Sequence, residues 1–440
     1  MALVALVGAI LLGVILALPI AWFHSHGSLL HALQSETRGG TTSHSVQSLR
    51  HGFIVAQIAL AFVLLTGTGL LGLSLRRAME VSPGFRVDHV LTGQLSLPGS
   101  RYRDGGSVLT FTERLLAEMG NQPGVVAAGV VNNVPFSGNT GKSAANVKGH
   151  VLRPGESPRG HYSYGVGGDY FRAMGFTLKA GRFLNAADSR RSERVCVVDE
   201  DFARYYWRHG EAIGQRLFQD SDPGPDSQAF TVVGVVASVK QAGLTQEEAQ
   251  GAIYYPFAFR PTSELFVAAR TSLSPESVGL TLRRVVRQMD SDLPVNDLQS
   301  MESRISDSLV ARRSPALLAG FFSAIAVLLT ALGTYGVLSY SVAQRRREIG
   351  VRMALGALPG QIRGQFLRLA LRLFAGGAVL GVAGAWLAGR AMQSVLFHVP
   401  ALSLPTLAVA AAVMGVVSLV ACLWPSQRAA RISPLEALAD

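Results

Sequence analysis

The chain is predicted to be a multi-pass α-helical membrane protein carrying a large α+β extracytoplasmic domain. Apolar stretches at 2–23, 52–75, 317–341, 369–392 and 404–424 hold very few charges, and each reaches the roughly 20 residues of helix that cross a hydrocarbon core. A polar block at 76–314 divides them into two groups. Arginines gather beside the apolar stretches or at their ends, in Arg345, Arg346, Arg347, Arg352, Arg363, Arg368 and Arg372. In lipid a segment must satisfy its own backbone amides, so the spans are read as helices. Gly376, Gly377, Gly381 and Gly384 suit close helix contacts.

Charge fixes the expected orientation. The formal net charge is +11, but much of the excess lies at membrane ends, and no basic recognition helix or aromatic-rich sheet accompanies it, so nucleic acid is excluded as a partner. The cationic segment 342–368 is placed in the cytoplasm, and the connection 393–403, which has no Lys or Arg, outside. Counting back across the spans puts 76–314 outside and 24–51 inside. Arg76 and Arg77, at the outer end of the second span, violate the rule locally. With only two cysteines, Cys196 and Cys422, a thiolate metal site is excluded by number.

Taken in order, 1–23 reads as a transmembrane helix, because it lacks a basic n-region and a small-residue cleavage site and exceeds a normal signal-peptide core. Ser28-Leu29-Leu30-His31-Ala32-Leu33 echoes Ser433-Pro434-Leu435-Glu436-Ala437-Leu438, so the first span is expected to end one membrane module and the rest to form a second. A cytoplasmic linker at 24–51 and a transmembrane helix at 52–75 follow. In the outer block, period-two alternation of Thr92, Gln94 and Ser96 predicts a strand at 90–97, an amphipathic helix follows at 108–119, and 125–131 is read as a second strand. Strands at 265–269 and 294–298 flank a helix at 275–289. Two β-α-β units separated by an insertion are expected to pack as a split α+β sandwich. The insertion is mostly β, with apolar runs at 194–198, 230–236 and 253–257, and Asp199 capping a helix through Trp207. Transmembrane helices at 315–341, 369–392 and 404–424, a periplasmic loop at 393–403 and a cytoplasmic tail at 425–440 complete the chain.

Candidate chemistry is sparse. Gly141-Lys142-Ser143 ends like a phosphate loop, but the Gly required five residues earlier is Phe136, so a solvated loop is expected. His24, His26, His31, His44 and His51 share one polar connection without cysteines, and only Glu36 is a nearby carboxylate, so a linker is expected rather than a metal site. No Ser, His and acid form a recognisable elbow. No enzyme activity, cofactor or metal is predicted.

The informative segment is Gln344-Arg345-Arg346-Arg347-Glu348-Ile349-Gly350-Val351-Arg352-Met353-Ala354-Leu355-Gly356-Ala357. Ile349, Met353 and Leu355 are expected on one apolar side, with Arg345, Glu348 and Arg352 facing water, in a short helix along the inner surface that stops at Gly356. Such a helix is either an interfacial anchor or a coupling helix presenting an apolar and charged knob to a cytoplasmic motor.

Arg347-Glu348-Ile349-Gly350 through Ala354-Leu355-Gly356-Ala357 resembles the cytoplasmic signature of FtsX-like ABC permeases, and 321–437 is similar to their three-helix module. Asn133-Val134-Pro135, Tyr170-Phe171-Arg172-Ala173-Met174-Gly175, Gly181-Arg182-Phe183 and Val197-Val198-Asp199-Glu200 resemble the MacB-type periplasmic core. Residues 57–75 followed by Pro83-Gly84-Phe85 look like the entry to the second half of duplicated, acidobacterial-type permeases, whose first core and first helices this sequence does not contain. The resemblance implies an ATPase-coupling helix carried by Arg347, Glu348, Ile349, Gly350, Arg352, Met353, Leu355 and Gly356. It implies a permease subunit of an ABC-type exporter in the bacterial inner membrane, working by mechanotransmission through a stalk near 301–313. The partners implied are a separate cytoplasmic ABC ATPase, the lipid bilayer, and a second permease module or a periplasmic adaptor. A non-transporting transmembrane sensor controlling an extracytoplasmic enzyme or a kinase is the alternative. The spans offer only small hydroxyls such as Thr66, Thr68 and Thr330 with Tyr335, which favours substrate handling outside the bilayer over a pore.

Overall fold

The computed structural model describes residues 44–138, 141–150, 155, 157–189, 193–208, 210–219, 228–246 and 250–429. The expected first span, most of the 24–51 linker with His24, His26 and His31, both halves of the repeat, residues 430–440 of the tail and the His44 side chain lie outside the described residues.

Among the described residues the first element is α1 (His44–Met79), followed by β1 (Val90–Ser96), α2 (Gly105–Gly120) and β2 (Val125–Val131). Next come β3 (Lys142–Ala144), β4 (Asn146–Val147), β5 (Gly160–Gly168), α3 (Tyr170–Met174), β6 (Leu178–Gly181), β7 (Val195–Asp199), α4 (Glu200–Tyr206), β8 (Arg216–Phe218), β9 (Phe230–Val236) and β10 (Ala252–Pro256). After them run β11 (Glu264–Thr271), α5 (Pro275–Met289), β12 (Val295–Ser300) and α6 (Met301–Ser308). The last elements are α7 (Val310–Gln344), α8 (Arg346–Ala354), α9 (Pro359–Ala391) and α10 (Leu404–Ala429). The chain divides into two units: Gly67–Phe321 with Ala388–Ser403, and the described parts of Met1–Thr66, Phe322–Leu387 and Leu404–Asp440.

In the first unit β12, β1, β11 and β2 lie side by side in that order, with every neighbouring pair antiparallel. Each β-α-β unit thus lends a strand to the middle of the other, the interleaving of a split α+β layer. Helices α2 and α5 cover this part of the sheet. Asp104 caps α2 by accepting from the Ser107 amide at 2.7 Å, and Pro275 starts α5 at a position where its missing amide costs nothing. Val108, Phe111, Leu115 and Met119 of α2 and Val278, Leu282, Val285 and Val286 of α5 recur at helical spacing, and they bury against Leu91, Leu95, Leu265 and Val267 of the strands.

The insertion is not a separate layer. It prolongs the same sheet, β5 pairing antiparallel with β2 and parallel with β10, and the strand order runs on through β7, β9, β8 and β4. Its own core gathers Cys196, Val198, Phe202, Leu217, Phe230, Val232 and Ile253. Asp199 caps α4, accepting from the Phe202 amide at 2.8 Å, and Trp207 is the residue that ends the helix. At the other end of the sheet, buried Arg304 of α6 donates to Thr92 Oγ1 and to the Asp297 carbonyl, both at 2.7 Å, and pairs with the Asp297 carboxylate at 2.7 Å. It ties α6 to β1 and β12.

Among the described residues, four helices are long and apolar enough to cross a membrane: Gln47–Met79, Val310–Gln344, Pro359–Ala391 and Leu404–Ala429. In the second unit the glycines of α9 do what their sequence texture predicts. A Cβ on Gly377 would stand 2.5 Å from Ile58 Cγ2, one on Gly381 2.7 Å from Phe62 Cβ, and one on Gly384 2.8 Å from Val63 Cγ2. Helices α1 and α9 therefore meet through a seam that no larger residue fits.

Candidate coupling segment

Helix α8 lies in the second unit between two long apolar helices, in a segment whose sole acid from 342 to 391 is Glu348. Gly356 ends it, because a φ of +95° suits a residue without a Cβ, and the amides of Gly356 and Ala357 donate back to Met353 and Arg352 carbonyls at 3.0 Å. The Leu358 amide donates to Gln361 Oε1 at 3.2 Å, and Pro359 opens α9. The turn is thus fixed by its own hydrogen bonds.

Ile349 and Gly350 are the buried residues of α8, and Ile349 packs with Leu338, Val342, Ile362, Phe366 and Cys422, while Met353 is half-buried against the same cluster. Leu355 departs from the expected apolar side. It is 83% exposed, because residues two apart on a helix point to nearly opposite faces, and Met353 and Leu355 are two apart. Leu355 instead joins Val351 and Leu358, 42% and 65% exposed, outside the cluster. Arg347, Glu348 and Arg352 are also exposed. Arg352 pairs with Glu348 at 2.5 Å, one turn away, and donates to Gln365 Oε1 of α9 at 3.2 Å. Both partners are about half exposed, so the pair adds only about 0.3–0.5 kcal/mol to the helix. The segment offers a buried hinge side and an outer side mixing leucines with guanidinium groups.

The remaining candidates resolve into structure. Lys142 and Ser143 lie in β3, paired antiparallel with His161 and Tyr162 of β5, so the expected loop is a strand, and the Lys142 ammonium sits 5.6 Å from the Tyr162 ring centre. Among the described residues no three His, Cys, Asp or Glu side chains are grouped to hold a metal ion. Cys196 and Cys422 are free and buried. Two strongly perturbed groups lie in the sheet unit: burial pushes the Asp199 carboxyl up to about 7, against the amides of Phe202 and Ala252, and burial brings His161 down to about 4. His161 bonds the Gln250 carbonyl and, at 2.9 Å, the Tyr206 hydroxyl, a packed arrangement with no room for a reacting group.

A family model described as MacB-like periplasmic core domain matches residues 53–285, and one described as FtsX-like permease C-terminal matches 320–434. The macrolide export ATP-binding/permease protein MacB of Chromobacterium violaceum is 28% identical over 291 residues, which cover 62% of this chain and 42% of that protein. The pyoverdine export ATP-binding/permease protein PvdT of Pseudomonas putida is 27% identical over 297 residues, covering 66% of this chain and 44% of its own length. The chain thus spans less than half the length of these relatives. The crystal structure of the periplasmic region of MacB from Actinobacillus actinomycetemcomitans aligns with 52% of this chain and 95% of that one, at 15% identity and a TM-score of 0.35.

Proposed function

The chain belongs to the FtsX-like permeases with a MacB-like periplasmic core domain, and from that membership we propose that it is a transporter rather than an enzyme, the permease subunit of an ABC-type exporter. It works by mechanotransmission. A separate cytoplasmic ATPase docks on α8, and its ATP-driven closure moves the segment 342–368. The sheet domain at 76–314, held outside the inner membrane, changes its grip on a substrate or on a periplasmic adaptor. The names of the relatives join ATP binding and permease functions in one protein, which supports a motor of that class as the partner.

The observation that carries this reading is the outer side of α8 and its turn. Three apolar side chains, Val351, Leu355 and Leu358, are exposed beside Arg347 and Arg352 on a segment whose inner side is locked by Ile349. Apolar residues beside guanidinium groups suit a protein partner, since arginine is enriched at such interfaces and the exposed leucines gain by being removed from water. Movement at Ile349 reaches α7 through Leu338 and Val342, and α7 contributes residues to both units. Beyond α7, α6 is bound to the sheet by Arg304.

The test is the Leu355→Asp, Arg352→Glu double variant, both changes on the exposed side, reconstituted in proteoliposomes with the candidate ATPase. Loss of co-purification and of stimulated hydrolysis, with insertion intact, is expected. Unchanged binding and unchanged hydrolysis would leave α8 as a passive interfacial anchor.

A further inference from the structure

Arg76 and Arg77 stand at the outer end of α1, where the charge rule disfavours cations. Arg76 is accounted for locally, its Nε donating to Glu80 Oε1 at 3.0 Å. Arg77 lines an open cavity of about 600 Å³ in the sheet unit, together with Lys240, His398, Leu244, Phe397 and Glu80. The walls differ in chemistry. Leu244 and Phe397 are buried and form an apolar surface, while Arg77 and Lys240 are half-buried cations. Glu80, the acid among these residues, already faces Arg76.

Each cation is held in place through part of its hydrogen-bonding capacity. Arg77 gives Nη1 to the His398 carbonyl, and the Lys240 ammonium gives one of its three donors to the Gln246 carbonyl at 2.8 Å. The loop that carries Phe397 and His398 is braced from two sides. Arg312 donates to the Val395 carbonyl at 2.8 Å and to Thr245 Oγ1 at 3.0 Å, and the Phe397 amide donates to Ser74 Oγ at 2.9 Å. The cavity is therefore built rather than incidental.

Depth and size narrow its ligand. The apolar run of α1 ends at Leu75, and Arg77 lies two residues on, about 3 Å further along a helix, at headgroup level if α1 crosses a bilayer. A space of about 600 Å³ far exceeds a lone inorganic phosphate and falls in the range of organic ligand sites. Guanidinium and ammonium groups together favour phosphate oxygens, and the apolar wall favours a ligand with a hydrocarbon part.

We propose that this cavity binds the headgroup of an anionic phospholipid from the outer leaflet. Arg77 and Lys240 contact the phosphate, and Leu244 and Phe397 contact the glycerol and first acyl carbons. The site rests on the membrane-crossing reading and its orientation, and is independent of ATPase docking.

Native mass spectrometry of the full chain in detergent tests it, with phosphatidylglycerol, phosphatidylcholine and inorganic phosphate as probes. Both lipids carry phosphate, but the choline cation is repelled by the site. Retention of phosphatidylglycerol is expected to exceed that of phosphatidylcholine about tenfold, the scale of one like-charge repulsion at a few ångström in a solvated site. Lys240→Gln, which keeps a donor for the Gln246 carbonyl, and Arg77→Gln should each abolish that preference. Arg283→Gln, which removes an exposed charge from α5, should preserve it. Equal retention of the two lipids, or a preference unchanged in both cavity variants, overturns the proposal. Displacement of phosphatidylglycerol by millimolar inorganic phosphate also overturns it, since the site would then serve a soluble anion. Loss of ATPase coupling in the α8 variant leaves the lipid result untouched, so the two readings fail separately.

Discussion

Asp199 offers a pH-dependent measurement whose sign is opposite to ordinary acid denaturation. Its side chain is buried, and burial, with Asp201 and Glu200 adding to it, raises its pKa from 3.8 to about 7 in spite of bonds from the Phe202 and Ala252 amides. Below pH ~4 the carboxyl is protonated in both folded and unfolded chains and costs nothing. Between ~4 and ~7 the unfolded chain releases the proton while the folded one keeps it, so stability falls as pH rises; above ~7 both are ionised and the loss is complete. At about 1.36 kcal/mol per pH unit, this window amounts to at most about 4 kcal/mol. Asp199→Asn keeps an acceptor for the helix cap and removes the titration. Any fixed cost of its amide facing the Ala252 amide drops out of the pH slope. Urea unfolding of the full chain in detergent, followed through tryptophan fluorescence with Trp22, Trp386 and Trp424 replaced by Phe in parent and variant alike so that Trp207 reports, should show the variant gaining on the parent by about 2–4 kcal/mol between pH 4 and 7.5. Carboxylates such as Asp290 and Asp88, held low by Arg101 and Arg86, act in the opposite direction in both proteins and cancel. A stability difference that stays flat with pH would refute the buried neutral carboxyl.

Replacing Arg304 by Met leaves the Thr92 hydroxyl with only its bond to the Gln299 carbonyl and removes the donor to the Asp297 carbonyl, and should cost about 2–4 kcal/mol in the same unfolding assay, with Asp297 itself partly rescued by water. Gly377→Leu forces a side chain into Ile58 and should lower the detergent melting temperature sharply, whereas Gly360→Leu, which meets nothing within 4 Å, should not. A cysteine at Glu276 should react with an impermeant reagent in intact cells and one at Ala357 should not; the reverse pattern would invert the orientation.

The sequence was most legible where local rules agree. Short apolar runs mark β2 and β9, and a Pro start with helical apolar spacing bounds α5, so all three run over the residues the pattern marks. The split sandwich followed from two β-α-β patterns. That the insertion prolongs the same sheet was not legible, because the parallel pairing of β5 with β10 joins residues some ninety positions apart and leaves no local trace. Strand β5 itself is hidden by Gly160, Gly165, Gly167 and Gly168, which weaken a strand signal. In α8 the existence and end of the helix were readable from Gly356, but counting Leu355 with Ile349 and Met353 ignored the 100° step of the helix. The cavity drew its one sequence signal from Arg77, which departs from the expected charge pattern; its other walls come from 240–246 and 397–398, far along the chain.

The central claim, that α8 meets an ATPase, is tested most directly by placing a photo-crosslinking residue at Leu355 in living cells and identifying what it captures by mass spectrometry. The side chain is 83% exposed and makes no part of the buried cluster, so the substitution leaves the fold alone. The account predicts a covalent adduct with a protein carrying the nucleotide-binding motifs of an ABC ATPase, lost when Arg352 is changed to Glu. Adducts with lipid alone, unaffected by Arg352→Glu, would contradict it.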